Sequence, residues 1–246
     1  LNLAITTTVD KTTEVVGSRL RYTTVMANLG PNAVTDATLS IEKIGIKITP
    51  DQFLVSTTYG KSDGLIHLES STSSKQVYHI TDFPVGGIIT LTNEGTILPG
   101  SHSVVNKSII APPISGYYEV DNQNNISVAQ TFIKPILSQP LSMTICPSEL
   151  INQTLVSDNP SLISYTWTAE PSTSAIRVRE SRTSGHIIQG AIKNTKITGG
   201  TVVYTIIPTI KAPIMPSNGA ASSAFTNTVG DVKTFTVIIK SRAEAP

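Results

Sequence analysis

The run with the strongest catalytic look is Gly60-Lys61-Ser62-Asp63-Gly64, which has the form G-x-S-x-G. In a hydrolase that spacing places the serine on a strained strand-to-helix elbow, with a helix N-terminus behind it to stabilise an oxyanion. Here Leu65-Ile66-His67-Leu68 follows, which alternates like a strand, so the required helix is missing and Asp63-Gly64 reads as hairpin-turn chemistry. A triad of Ser62 with His67 or His79 and Asp82 has no further support in the sequence. The four histidines, His67, His79, His102 and His186, lie far apart and match no metal-ligand spacing, so no histidine metal site is expected.

Oxygen ligands gather at Asp121-Asn122-Gln123-Asn124-Asn125, where Glu119, Asp121 and Asn124 are calcium candidates; the acidic-loop spacing is not met, and the same residues suit a tight turn. Ligand binding by aromatic rings falls to Tyr117 and Tyr118, which a strand would point to opposite faces. Ile163, Tyr165 and Trp167 alternate onto one face, as a sandwich core requires. Arg177, Arg179 and Arg182 form a basic stripe with Val178 opposite; Arg177 and Arg179 are candidate contacts for an anion or partner, and equally a solvated edge that discourages aggregation. Asn106, Asn125 and Asn152 head N-x-S/T sequons.

These residues must be positioned by a chain of 246 residues that is 39% apolar and 14% charged. About a third of the residues are Thr, Ile or Val, so β-branched side chains dominate and helix formers are scarce. A helical bundle or a doubly wound α/β enzyme is thereby disfavoured. Eighteen basic against seventeen acidic residues give a net charge of +1, too weak a field to recruit a nucleic-acid backbone or an anionic membrane. The lone Cys146 excludes an intrachain disulfide and a cysteine zinc site. No apolar run approaches the roughly 20 residues that a spanning helix needs. Leu1 opens directly on a strand pattern, so an exported chain is expected to have lost its signal.

Period-two runs recur along the whole chain, as at Leu3-Ile5-Thr7-Val9 and Leu20-Tyr22-Thr24-Met26, separated by turn clusters such as Asn28-Leu29-Gly30-Pro31-Asn32. Nowhere does an apolar face recur at helical spacing. Two prolines at Pro135 and Pro140 bound a stiff linker, 135–140, between a first block, 1–134, and a second, 141–246. The loops at 60–64, 70–75 and 213–223 are the expected sites of specificity.

The first block, with its opening LNLAITTTVD strand, Val16-Gly17, Tyr22, Asn28 with Gly30-Pro31, Pro99-Gly100 and Asn125, resembles the conserved-repeat domain of unknown function eleven, a β-sandwich of cell-surface and adhesin-like proteins. The segment 41–85 departs from that pattern. The second block, with Ile145-Cys146-Pro147-Ser148, Tyr165-Thr166-Trp167-Thr168, Lys193-Asn194-Thr195 and Val202 to Thr209, resembles the PKD-like immunoglobulin-type domains of large Gram-negative surface proteins. The second cysteine common in that family has no counterpart here. Some surface sandwiches weld a first-strand Lys to a last-strand Asn beside a protonated buried carboxyl. Thr7 stands where cross-linking relatives of the first family carry that Lys, and Lys11 lies beyond the strand, so no bond to Asn125 is expected.

The expectation is therefore an all-β chain of two tandem immunoglobulin-like β-sandwiches. The resemblances imply a non-catalytic module for adhesion or display, exported to the cell surface, monomeric, without a cofactor and with an extracellular protein or glycan as partner. The alternative is a glycan-binding accessory module of an exported protein.

Overall fold

The computed structural model describes residues 1–48, 54–57, 66–116, 118–138, 142–158, 160–180, 183–220 and 222–242. The chain packs as two compact units: Leu1–Ile133 with Ala212–Thr226, and Lys134–Lys211 with Asn227–Pro246. No helix among the described residues is long and apolar enough to cross a membrane.

Unit 1 contains β1 (Leu3–Val9), β2 (Thr13–Glu14), β3 (Arg19–Asn28), β4 (Ala37–Ile44), β5 (Ile46–Ile48), β6 (Leu54–Thr57), β7 (Ile66–Ser71), β8 (Lys75–Ile80), β9 (Ile88–Ile97), β10 (Ser103–Ala111) and β11 (Ile126–Ile133). One sheet runs β1-β3-β9-β5, with β6 also on β9, and the other β2-β11-β10-β4-β8-β7. Alternation decides what faces inward: β3 buries Leu20, Tyr22, Thr24, Met26 and Asn28 and leaves the residues between them partly or fully exposed. Between β4 and β5 the chain changes sheets in a single residue, Gly45, at φ 81. A side chain there would meet Ser101 Oγ and Ser103 O at 2.8 Å, so both the corner and the space demand glycine.

The segment Ala212–Thr226, which chain order alone would leave with the second block, groups with unit 1. The Gln130 side chain fastens it, donating to Pro213 O (2.7 Å) and accepting from Met215 N (2.9 Å).

Unit 2 holds β12 (Ser142–Ile145), β13 (Leu150–Thr154), β14 (Ile163–Pro171), β15 (Ile176–Glu180), β16 (Ile187–Asn194), β17 (Gly200–Pro213), β18 (Phe225–Val229) and β19 (Lys233–Ile239), some of whose end residues count with unit 1. Its sheets are β12-β19-β17-β14, with β18 on β17, and β13-β16-β15. The core is built from alternate residues, among them Ile163, Tyr165 and Trp167 of β14 and Val202, Tyr204, Ile206 and Ile210 of β17. Residues read as linker are tied into this unit: Leu137 is buried in its core and bridges Ser157, and Ser138 N donates to Val156 O (2.8 Å). The all-β architecture of two β-sandwiches expected from the sequence is the architecture found.

Both units close in the same way. In unit 1, β2 pairs in parallel with β11, Thr13 opposite Phe132 and Glu14 opposite Ile133; in unit 2, β12 pairs in parallel with β19 from Ser142–Thr236 to Ile145–Ile239.

Trp167 and Tyr204 are 3% and 0% exposed, whereas Tyr118 is 82% exposed. Trp167→Ala is expected to cost about 3–5 kcal/mol in urea unfolding, and Tyr118→Ala less than about 0.5 kcal/mol.

Candidate functional site

Of the residues singled out from sequence, Gly60–Gly64, Tyr117 and Arg182 lie outside the described residues. The calcium candidates sit where the start of the chain is fastened. The Leu1 ammonium donates to Tyr118 O (2.8 Å), Val120 N donates to Leu1 O (2.9 Å), and the Glu119 carboxylate accepts from Leu3 N at 3.2 and 3.4 Å. Asp121 Oδ1 accepts from Gln123 N (2.9 Å), an Asx turn that leads into a short 3-10 turn at Gln123–Asn125. Asn124 Nδ2 donates to Asn2 Oδ1 (2.9 Å). Glu119, Asp121 and Asn124 thus serve three separate backbone or side-chain partners. Among the described residues no group of three or more His, Cys, Asp or Glu side chains is arranged to hold a metal.

Tyr118 projects into solvent, while its backbone carbonyl does the anchoring. Arg177 and Arg179 are exposed on β15, opposite Lys193 and Ala191 of β16, with Val178 between them packed on the core. β15 ends the order of its sheet, so the two guanidinium groups decorate the outer face of a terminal strand. Asn106 and Asn125 are buried, so of the three sequon asparagines only Asn152 is exposed in the folded chain.

The expected separation of the histidines is corrected for one pair. His67 and His79 are direct cross-strand partners on β7 and β8, and His79 takes Asp36, not Asp82, as its carboxylate, with Nε2 3.1 Å from Oδ1. Hairpin register brings together what twelve positions of sequence keep apart.

A second constellation, this one buried, was missed from sequence altogether. Lys43, 2% exposed, lies inside unit 1 and donates from Nζ to Asn93 Oδ1 (2.9 Å) and, more weakly, to Gln76 Oε1 (3.4 Å). Lys43 and Gln76 belong to neighbouring strands of one sheet, β4 and β8, whereas Asn93 is on β9 of the other, so the ammonium ties sheet to sheet. The signal was present: Ala37, Leu39, Ile41 and Lys43 occupy one face of β4 and are all buried, while Ile44 is 62% exposed. Burial pushes the Lys43 pKa down to about 8.

This is an amine beside an asparagine, yet the third group is an amide, Gln76, where a cross-link would need a protonated carboxyl. Among the described residues none of the buried polar side chains is a carboxyl. At the position examined from sequence, Thr7 is buried in a hydroxyl chain with Thr24 (3.1 Å) and Ser108 (2.9 Å), and Lys11 pairs on the surface with Glu14 (2.8 Å).

No protein-family model matches the chain, and no curated protein matches it. Among solved structures it is similar to BcpA, the major pilin subunit of Bacillus cereus, at 8% identity and a TM-score of 0.44 over 98% of this chain and 71% of that one. It is similar to the full-length RrgB pilus protein of Streptococcus pneumoniae at 9% identity and a TM-score of 0.41, over 98% of this chain and 40% of that one. The collagen-binding domain of a Staphylococcus aureus adhesin matches 52% of this chain and 97% of its own, at 12% identity and a TM-score of 0.38.

The buried ammonium fixes the sign of a pH effect. Between pH 8 and 10 an unfolded lysine keeps its proton while folded Lys43 has released it, so the unfolded state binds more protons and stability rises with pH. Tyr22 and Tyr78, whose pKa values burial raises, act with the opposite sign only above their ordinary value of 10. Chemical denaturation should therefore show a gain of about 2 kcal/mol from pH 8 to 10, absent in Lys43→Met. At pH 7 Lys43→Met should be neutral or stabilising, while Asn93→Ala, which strands the ammonium, should cost about 3 kcal/mol.

Proposed function

We propose that this chain is a non-catalytic, tension-bearing module of an exported surface structure, which holds a binding surface away from the cell. The observation that supports this reading is the parallel pairing of an early strand with a later one in each unit, β2 with β11 and β12 with β19. When two parallel strands are pulled by the start of one and the end of the other, they slide past each other. Every hydrogen bond between them is then loaded at once, rather than broken one by one as when a hairpin is peeled open. In unit 2 four consecutive residue pairs stand in that geometry, and Lys240 N extends it by donating to Ile145 O (3.0 Å). In unit 1 the ladder is supplemented by Phe132 N to Thr12 O (2.9 Å) and Thr131 Oγ1 to Lys11 O (2.6 Å).

In this reading resistance to unfolding under load, a matter of rate rather than equilibrium stability, is the property the fold supplies. Specificity is left to exposed groups, with Tyr118, Arg177, Arg179 and the 213–223 loop the candidate contacts for an extracellular protein or glycan.

The test is single-molecule pulling of the Cys146→Ser chain. Held by its ends, unit 2 should unfold at a force several-fold above that needed when it is pulled through cysteines placed at Ser142 and Lys233, which lie toward the same end of the β12–β19 ladder. Equal forces in the two geometries would remove the basis for the proposal.

A further inference from the structure

His67 and His79 face each other across the β7–β8 hairpin on the solvent side of the sheet, since Ile66 and Ile80 beside them point into the core. Their meeting depends on a bulge. From Ser71–Gln76 to Ser70–Val77 the register runs evenly, then slips by one residue at Glu69, so that Leu68 pairs with Tyr78 and His67 with His79. Without the slip His79 would oppose Leu68.

The two rings stand at hydrogen-bonding distance, close to the spacing that two ligands of one ion adopt. His67 Nε2 is 3.4 Å from His79 Nδ1, and the ring centroids are 5.1 Å apart with the planes at 87°. Two imidazole nitrogens bound tetrahedrally to one zinc ion at its usual bond length stand about 3.3 Å apart, with ring centres about 5.2 Å apart. In the metal-free chain the two nitrogens are joined by an N–H···N hydrogen bond, and an ion binding both takes the place of that proton, leaving neutral His67 protonated on Nδ1. The other nitrogen of His79, Nε2, is 3.1 Å from Asp36 Oδ1. A carboxylate accepts and does not donate, so it holds the proton on Nε2 and leaves the Nδ1 lone pair facing His67. Asp36 itself sits at φ 63, a left-handed conformation that aims its side chain from the turn before β4.

We propose that His67 Nε2 and His79 Nδ1 form a two-histidine site for a zinc-class divalent ion, with Asp36 as the positioning residue that fixes the His79 tautomer. Water fills the remaining coordination positions, so the site is open and its affinity modest. Its structural consequence is local: β7 is the last strand of its sheet, and the ion clips this exposed edge to β8. The proposal is independent of the tension-bearing reading.

Zinc titration of the untagged chain by calorimetry tests it. The expected result is saturable binding of one ion, lost in His67→Ala and in His79→Ala, retained in His102→Ala and His186→Ala, and weakened about tenfold in Asp36→Asn. Asparagine tolerates the left-handed backbone at position 36, and the two histidines lie outside the core, so all these variants should keep the wild-type circular dichroism spectrum. Zinc should also slow amide exchange in β7 of the wild type and not of His79→Ala. Absence of saturable binding to the wild type, or binding that survives either histidine substitution unchanged, would overturn the proposal.

Discussion

A pleated strand has two faces, and throughout both units one of them is committed to the opposing sheet. That constraint fixes nearly everything else, because a slip of one residue would turn every core side chain into solvent. It explains why β3 alternates so strictly from Leu20 to Asn28, and why Ile163, Tyr165 and Trp167 of β14 meet Val202, Tyr204 and Ile206 of β17 in one core. It also explains the polar residues inside. Thr7, Thr24, Ser108 and Asn106 sit at inward positions and are joined by hydroxyl and amide hydrogen bonds, which offset the cost of removing them from water.

Lys43 is the inward position at which this constraint is most expensive. The register of β4 places it between the sheets whether or not an ammonium belongs there, and two amides, Asn93 and Gln76, are the groups that receive it. Neither is charged, so the attraction that usually offsets desolvation is weak and the lowered pKa follows. The same arrangement joins β4 of one sheet to β9 of the other, close to Gly45, where the chain leaves the first sheet for the second. A directional contact at that corner discriminates the native register from a slipped one more sharply than another aliphatic side chain would.

What was legible in the sequence is what local pattern encodes. Period two and the turn clusters give the strands, and the Ile163–Tyr165–Trp167 face is buried as that period requires. The inward position of Lys43 was also legible, through Leu39 and Ile41 on the same face, but a lysine at the end of a strand pattern was passed over. Pairings between distant segments were not legible. Asn93 lies fifty residues from Lys43, on another sheet, and nothing in either neighbourhood names the other. His67 and His79 are closer in sequence, yet their meeting depends on one bulged residue in β7, which alternation alone cannot place. The acidic and amide groups at 119–124 were recognisable as turn chemistry, but their work of anchoring Leu1, Asn2 and Leu3 depends on strand β1 lying beside them.

In the tension-bearing reading, equilibrium stability and resistance to load are set by different parts of this fold. The Lys43 cluster weighs on the free-energy difference between folded and unfolded chains, because the unfolded state hydrates the ammonium freely. It lies between the two sheets of unit 1 and is no part of the β2–β11 ladder. The β12–β19 ladder contributes few residues to the total burial, yet it stands first in the path of an end-to-end force on unit 2. A barrier placed there slows unfolding without requiring a large free-energy gap. A β-sandwich can thus keep a costly buried lysine and still hold under tension, provided the strands that close each unit run in parallel.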